Sequence, residues 1–212
     1  MSKVAVMCAA ICLLLGACNE KPTNWGKSPY IFPNETGDWW VYEVTSLPFN
    51  GTDTVQVLVR HQDTLNNGDA VTLWITKYRY HTDTSFVQVK KGAGNGVGRD
   101  TVYVFNDRGA TSTVMVYLFP MEVGMAWPGI NEFDTVRVTG KSQIVTEAGT
   151  YDAFLVHNGW HQFEWAYQAV RWVVPYVGVV YMRSAWLFGT EMGQDKWELL
   201  AWSGDGYMPQ PD

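Results

Sequence analysis

Much of the chain consists of short segments in which apolar and polar residues alternate with a period of two. Segment 54–60 places Val55, Val57 and Val59 on one face, and the run Asn66-Asn67-Gly68 follows shortly afterwards. Such alternation is typical of half-buried β-strands, and Asn and Gly tolerate the positive φ angles of tight turns. We therefore predict a long β-hairpin in this part of the chain.

The same pattern recurs to the end of the chain, with Gly, Pro or Asn between the segments. No segment after the N-terminus shows a convincing helical period of 3.6 residues. Regularly spaced short strands favour an antiparallel barrel or sandwich. The predicted fold is all-β: a curved antiparallel sheet, a β-barrel or a half-barrel of about ten strands, following an N-terminal signal helix. Later predicted strands include 134–146, 150–157, 160–167, 169–174, 177–186 and 196–202.

One phrase occurs twice, which predicts a body made from two related halves at about 32–118 and 119–203. Each copy reads Phe-Pro-x-Glu-x-Gly-x-x-Trp and is followed by Asp-Thr-Val-x-Val and then, 15 residues after that Asp, by a Gly. We expect a Pro/Gly corner and a buried Trp to open each half. The matched positions are Phe32, Pro33, Glu35, Gly37, Trp40, Asp53 and Gly68, and Phe119, Pro120, Glu122, Gly124, Trp127, Asp134 and Gly149.

Several strands of the second half carry large apolar residues on both faces. Trp172 and Val173 lie next to each other, as do Leu199 and Leu200. The outer faces of a two-layer sandwich are normally polar. Two explanations stay open: a curved sheet with a partly dry concave face, which would form a ligand cavity, or a second layer of loops or of the other half.

The N-terminus predicts a lipoprotein leader. Lys3 precedes an apolar run at 4–15 that is too short to span a bilayer comfortably. The run ends in Leu15-Gly16-Ala17-Cys18, which resembles a bacterial lipobox. We predict a signal peptide at 1–17, a lipidated tether at 18–30, a single β domain at 31–206 and a tail at 207–212.

Cysteine usage agrees with this assignment. Cys8 and Cys12 would leave with the signal peptide, and Cys18 would be acylated, with palmitate among its chains. The mature body would then have no thiol for a disulfide, a metal or a nucleophile. Several acyl chains anchor a protein stably. Asn19 follows the cysteine. By analogy with lipoprotein sorting, this residue favours the outer membrane over the inner membrane of the cell envelope. Whether the protein lies on the periplasmic side or on the surface side stays open.

The composition of the 212-residue chain narrows the possible partners. It has a net charge of −6 and only 17% charged residues, with no basic stripe for nucleic acid. Its 11 Trp and 11 Tyr suit sugar stacking or mixed apolar pockets. The candidate ligand-binding residues are Trp74, Tyr78, Tyr80, Trp160 and Trp165.

No motif points to catalysis, a metal or a cofactor. His157 and His161 have the spacing of a helical metal site, but an extended strand would separate them by roughly 13 Å. A Gly-x-Ser-x-Gly elbow is absent. We expect a non-enzymatic protein; a hydrolase with dispersed acids stays open, because the fold sets the spacing of paired carboxylates.

The phrase FPNETGDWWVYE at 32–43 resembles the opening of a group of bacterial lipoproteins and secreted β-proteins that includes TapB-like proteins. Pro33, Gly37, Trp40 and Tyr42 match its P-x-x-x-G-x-x-W-x-Y pattern, and Asn34 stands where Leu is usual. Segments 148–154, 175–180 and 197–200 are also similar. The resemblance implies a curved sheet or barrel, and the group has no established enzymatic chemistry. Gly37-Asp38-Trp39 also resembles the Gly-x-Trp of lipocalins, without their later motifs.

Together these observations predict a lipid-anchored, non-enzymatic domain of the cell envelope that binds an apolar or amphipathic ligand or an envelope partner. Its partners would be the membrane, through the lipid on Cys18, and a hydrophobic small molecule or a glycan. A carbohydrate-binding lipoprotein and a structural subunit of an envelope complex are the alternatives.

Overall fold

The computed structural model describes residues 32–47, 51–92, 98–109, 114–129, 134–162 and 164–205. The predicted leader, Cys18 and the tether lie outside these residues. Within the described part, no helix is long and apolar enough to cross a membrane. The chain forms twelve strands, which are β1 (Trp39–Leu47), β2 (Gly51–Thr64), β3 (Ala70–Lys77), β4 (Thr82–Lys90), β5 (Asp100–Phe105), β6 (Val114–Phe119), β7 (Ala126–Pro128), β8 (Thr135–Thr146), β9 (Gly149–Gln162), β10 (Trp165–Val174), β11 (Gly178–Phe188) and β12 (Glu191–Trp202), and ends in a 3₁₀ turn, Ser203–Asp205.

All twelve strands belong to one antiparallel sheet in the order β6-β5-β4-β3-β2-β1-β12-β11-β10-β9-β8-β7. Each half is a meander of six strands, and the two meanders join where β1 pairs with β12. The predicted all-β antiparallel fold is confirmed, with twelve strands instead of about ten.

The prediction of a barrel is wrong, because the sheet is open, with β6 and β7 as its edge strands. The sequence at these edges explains why no ladder closes it. Pro120 follows β6 directly, and β7 is only three residues long and ends at Pro128. Proline has no N–H to donate to a ladder, and short or proline-containing edges prevent unwanted pairing.

One face of the sheet, here called the inner face, carries the main core. Strands from both edges of the sheet contribute to one buried cluster. β4 to β6 supply Val87, Val102 and Tyr117, while β7 to β9 supply Trp127 and Val156. A second cluster surrounds the β1–β12 junction and includes Tyr42, Val55 and Leu199. Apolar contacts thus connect the two edges of the sheet, although no ladder of hydrogen bonds joins β6 to β7.

The opposite face, here called the outer face, is covered in part by the β8–β9 hairpin. The Ala148 N–H donates to the carbonyl of Leu199 on β12 (3.3 Å), so the hairpin tip reaches across to the middle of the sheet. The indole of Trp172 donates to Ser142 (3.1 Å) and packs edge-on against Tyr181. A second layer therefore explains part of the two-faced apolar pattern of β10 to β12.

The first Pro/Gly corner is held by a small set of backbone hydrogen bonds. Gly37 has φ of 98°, and its N–H donates to the carbonyl of Val59 (2.9 Å). The Val59 N–H donates back to the carbonyl of Asp38 (2.8 Å). The Asp38 carboxylate accepts the N–H of Glu35 (2.9 Å), which closes the turn.

The second corner repeats this pattern. Gly124 has φ of 94°, and its N–H donates to the carbonyl of Val138 (2.8 Å). The Val138 N–H donates back to the carbonyl of Met125 (2.9 Å). The repeated aspartates also have like roles: Asp53 accepts the N–H of Arg79 and Asp134 that of Gly159, both at 3.0 Å. The two corners and the two aspartates therefore have matching hydrogen bonds. That the two complete halves share one structure stays a prediction.

We predict that Gly37→Ala and Gly124→Ala each lower the free energy of unfolding of the mature chain by about 1–2 kcal/mol, because an L-residue is strained at these φ angles. A Cβ at either position has open space around it, so strain and not a clash is the cause. Gly140→Ala is the matched control: its Cβ also meets nothing within 4 Å, and its φ is not positive. Chemical denaturation should show little change for the control, and an equal loss in all three variants would contradict the account.

Candidate functional site

A cavity of about 230 Å³ opens on the inner face beside the β1–β12 junction. Strands of both halves form its wall, because β11 and β12 lie next to β1 in the sheet. The wall is almost entirely apolar. We call this the inner cavity; its lining residues are Phe32, Trp40, Tyr42, Val57, Trp74, Ser85, Val87, Val102, Val104, Val116, Tyr117, Gly178, Val179, Met182 and Trp197.

Trp74 is fixed in the cavity wall by three contacts. Its ring stacks on Phe32 with centroids 5.7 Å apart and on Trp40 with centroids 5.0 Å apart. Its indole N–H donates to the side-chain carbonyl of Asn34 at 2.7 Å. Phe32, Asn34 and Trp40 all belong to the repeated phrase and its corner, so that corner positions one wall of the cavity.

The opposite wall is held by hydrogen bonds from β1 to the start of β11. The Trp40 indole donates to the carbonyl of Val177 (2.6 Å), and the Tyr42 hydroxyl donates to that of Val179 (2.9 Å). Trp197 packs edge-on against Tyr42, with centroids 5.6 Å apart. These bonds satisfy the polar ends of the rings, which leaves their apolar surfaces to line the cavity.

Besides Tyr42, whose hydroxyl is bonded to Val179, two residues bring a hydroxyl group to the cavity: Tyr117 and Ser85. Burial raises the pKa of Tyr117 above its usual value, and the phenol stays neutral at physiological pH. Burial also raises the pKa of Tyr42, with a smaller contribution from Tyr117. Within the described residues, the hydroxyls of Tyr117 and Ser85 make no hydrogen bond. They are the groups that could hydrogen-bond the polar end of a ligand.

The structure places three of the predicted ligand-binding residues near this part of the sheet, at different depths. Trp74 lines the inner cavity. Tyr78 packs edge-on against Trp197 and stacks on His81, so one ring separates it from the cavity. Tyr80 is 89% exposed in the β3–β4 turn, with only the Arg79 guanidinium over its ring.

The other two predicted residues lie in the second half. Trp160 lines a larger open concavity of about 840 Å³ across β8 to β12, which we call the outer groove. Trp165 is half-exposed at the start of β10 and packs edge-on against Phe188. The structure therefore does not bring the five residues into one site.

Sequence reasoning missed most of the cavity wall. The sequence predicts Trp40 as a buried residue and Phe32 as part of the corner phrase. It predicts Tyr42 and Trp197 as strand residues, and none of the four is among the candidate ligand-binding residues. A signal was present in the alternation of β12, which puts Trp197 and Leu199 on one face. The sequence does not reveal which strand lies beside that face.

His157 and His161 both lie on β9 and both line the outer groove. Across the described ranges, no group of three or more His, Cys, Asp or Glu side chains is close enough to hold a metal ion. Among the described residues, the two histidines therefore have no third potential metal ligand grouped with them.

A buried polar network lies beneath the aromatic residues of the second half. Asp134 is 2% exposed and accepts hydrogen bonds from the Gly159 N–H (3.0 Å) and from the Asn158 amide (3.3 Å). Arg171 donates to the amide oxygen of Asn158 and to the hydroxyl of Tyr167 (3.3 Å). Because buried charges need such partners, this network fixes β8, β9 and β10 relative to one another.

Two solved structures are similar to this chain. An exported protein of Bacteroides fragilis, described as having a YmcC-like fold, aligns with 82% of this chain and 99% of its own at 13% identity, with a TM-score of 0.47. A Parabacteroides distasonis protein described as a lipoprotein aligns with 83% of this chain and 99% of its own at 15% identity, with a TM-score of 0.40. No protein-family model matches the chain, and no curated protein matches it. At these scores the two similarities carry no argument about function.

Proposed function

We propose that this protein is a lipid-anchored, non-enzymatic domain of the cell envelope that binds a small apolar or amphipathic ligand in the inner cavity. The observation that carries the proposal is the cavity itself. It is a hollow of about 230 Å³ between buried residues of the core, and rings and aliphatic side chains form nearly all of its wall.

The cavity size sets the class of ligand. An apolar cavity of about 150 Å³ stays dry and binds benzene, whereas pockets for drug-sized ligands have volumes of about 300–1,000 Å³. The inner cavity lies between these limits. It therefore fits one ring or a short aliphatic end. The Tyr117 and Ser85 hydroxyls would meet the polar end of an amphipathic molecule.

The position of the first described residue supports a membrane-proximal role. Phe32 lines the cavity and lies 14 positions after Cys18 in the sequence. A chain of this length spans at most about 50 Å when fully extended. An acyl group on Cys18 would therefore keep the cavity close to the bilayer, where apolar molecules concentrate. The outer membrane and palmitate are part of this proposal, and rest on the lipobox and on Asn19.

We predict that Cys18→Ser abolishes acylation and releases the protein from the membrane. The measurement is metabolic labelling with an alkyne-tagged palmitate, together with fractionation of a bacterial host that expresses the full chain. The unchanged chain should be labelled and sediment with outer membranes. Cys12→Ser, inside the predicted leader, is the control and should change neither result. Labelling that survives Cys18→Ser would contradict the anchor.

We predict that the mature chain with Cys18→Ser binds toluene, indole or octanoate saturably and changes its Trp emission, because Trp40, Trp74 and Trp197 line the cavity. Ser85→Phe should weaken this binding at least about tenfold by filling the cavity, since volume added to a packed site excludes a ligand. Thr84→Phe is the matched control, one residue away and exposed on the outer face.

Thermal unfolding of both variants separates loss of binding from loss of fold. Absence of saturable binding by all three probes to the folded, unsubstituted domain would contradict a ligand in the inner cavity. Equal weakening by Ser85→Phe and Thr84→Phe would place the binding elsewhere.

A further inference from the structure

The outer groove lies on the opposite face of the sheet from the inner cavity, across β8 to β12. Residues paired across an antiparallel sheet point to the same side, so the ladder registers define parallel rows on this face. One row runs through Arg137, His157, Val170, Arg183 and Lys196. Residues spread over 59 positions of the sequence thus form one row, here called the basic row because all its members except Val170 are basic.

Two members of this row line the groove without a counter-charge. Arg137 and His157 are directly paired on β8 and β9, and neither makes a hydrogen bond or ion pair within the described residues. His161, farther along β9, also lines the groove and has no such partner there. Arg137 is always charged and has five N–H donors, and the neighbouring imidazole of His157 adds a ring N–H donor.

The charge around the groove is opposite in sign to that of the whole chain. The chain has a net charge of −6, yet no Asp or Glu is among the lining residues of the groove. A concave site lined by one sign of charge concentrates counter-ions of the other sign. Arg137 and His157 can both donate hydrogen bonds to a carboxylate or phosphate.

The rest of the groove combines small and aliphatic side chains with two amides, because Gln168 and Gln194 lie in the same row as Gly159 and Ala185. Gly159, Ala166 and Ala185 provide a floor with little side-chain bulk, since they lie on neighbouring strands of the same face. Leu47, 46% exposed, and Met192, 70% exposed, line the end near β12 and β1. Exposed aliphatic side chains next to one another mark a surface that binds another apolar group.

We propose that the outer groove binds a single amphiphile with one anionic head group, a carboxylate or a phosphate, and one aliphatic chain. The head lies between Arg137 and His157, and the chain runs over Gly159 and Ala185 towards Met192. The three strand spacings from β9 to β12 give this path a length of about 14 Å. The groove volume of about 840 Å³ falls within the range of sites that enclose one small molecule.

The test uses dodecyl phosphate below its micelle concentration, titrated by calorimetry into the mature chain with Cys18→Ser. Dodecyl maltoside has the same tail without the charge, and inorganic phosphate is the head alone. We expect saturable binding of dodecyl phosphate at one site, and binding at least about tenfold weaker for the other two, since hydrogen bonds to charged groups contribute more than neutral ones.

Two variants locate the site, and one control tests the specificity of charge. Arg137→Gln combined with His157→Gln should weaken binding about tenfold or more, and Ala185→Trp should block the floor. Arg183→Gln is the matched control from the same basic row; Arg183 does not line the groove, and its guanidinium contacts Tyr181. It should change binding less than about twofold.

Equal loss in the Arg183→Gln control and the double variant would overturn the proposal, as would maltoside binding as tight as phosphate binding. Binding to phosphatidylglycerol vesicles without binding of monomeric dodecyl phosphate would also overturn it, because a bilayer surface would then be the partner. Ser85→Phe, which fills the inner cavity, should leave dodecyl phosphate binding unchanged. The two sites can therefore fail or succeed independently.

Discussion

The pairing of the first strand with the last is the interaction on which the rest of the structure depends. Within the described residues, the β1–β12 ladder is the one that joins the two six-stranded meanders. It brings residues about 160 positions apart into register, such as Trp40 with Trp202. Every other ladder links strands that follow each other in sequence. The inner cavity lies beside this junction, and the pairing brings Met182 and Trp197 of the second half next to the rings of the first half.

The two concavities follow from a sheet that is apolar on both faces near this junction. On the inner face, large rings meet at the corner of the repeated phrase, and the Trp40 N–H and the Tyr42 O–H are bonded to backbone carbonyls. On the outer face, the tip of the β8–β9 hairpin covers the region of Trp172, while Arg137 and His157 lie at the other end of the same two strands. The inner cavity is therefore almost entirely apolar, whereas the outer groove is more open and contains Arg137, which has no ion-pair partner among the described residues.

The sequence was informative about local structure and uninformative about register. Glycines of the repeated phrase were predicted at corners, and Gly37 and Gly124 do adopt positive φ with matching hydrogen bonds. Period-two patterning identified most strands, because burial of one face imposes it. Which residues become neighbours depends on non-local pairing. The approach of Trp197 to Tyr42 depends on such pairing, and the Arg137–His157 pair depends on the bulge between Val138 and Gly140, which the sequence does not reveal. The barrel, one of the predicted alternatives, is excluded by the unpaired edges of β6 and β7.

The central claim is that an apolar cavity lies beside the β1–β12 junction, and xenon binding tests it most directly. Xenon enters apolar cavities that exclude water. Crystals of the mature chain exposed to xenon under pressure should show anomalous density between Trp74, Tyr42 and Trp197. Ordered water in that space, or side chains that close it and leave no xenon peak, would contradict the account.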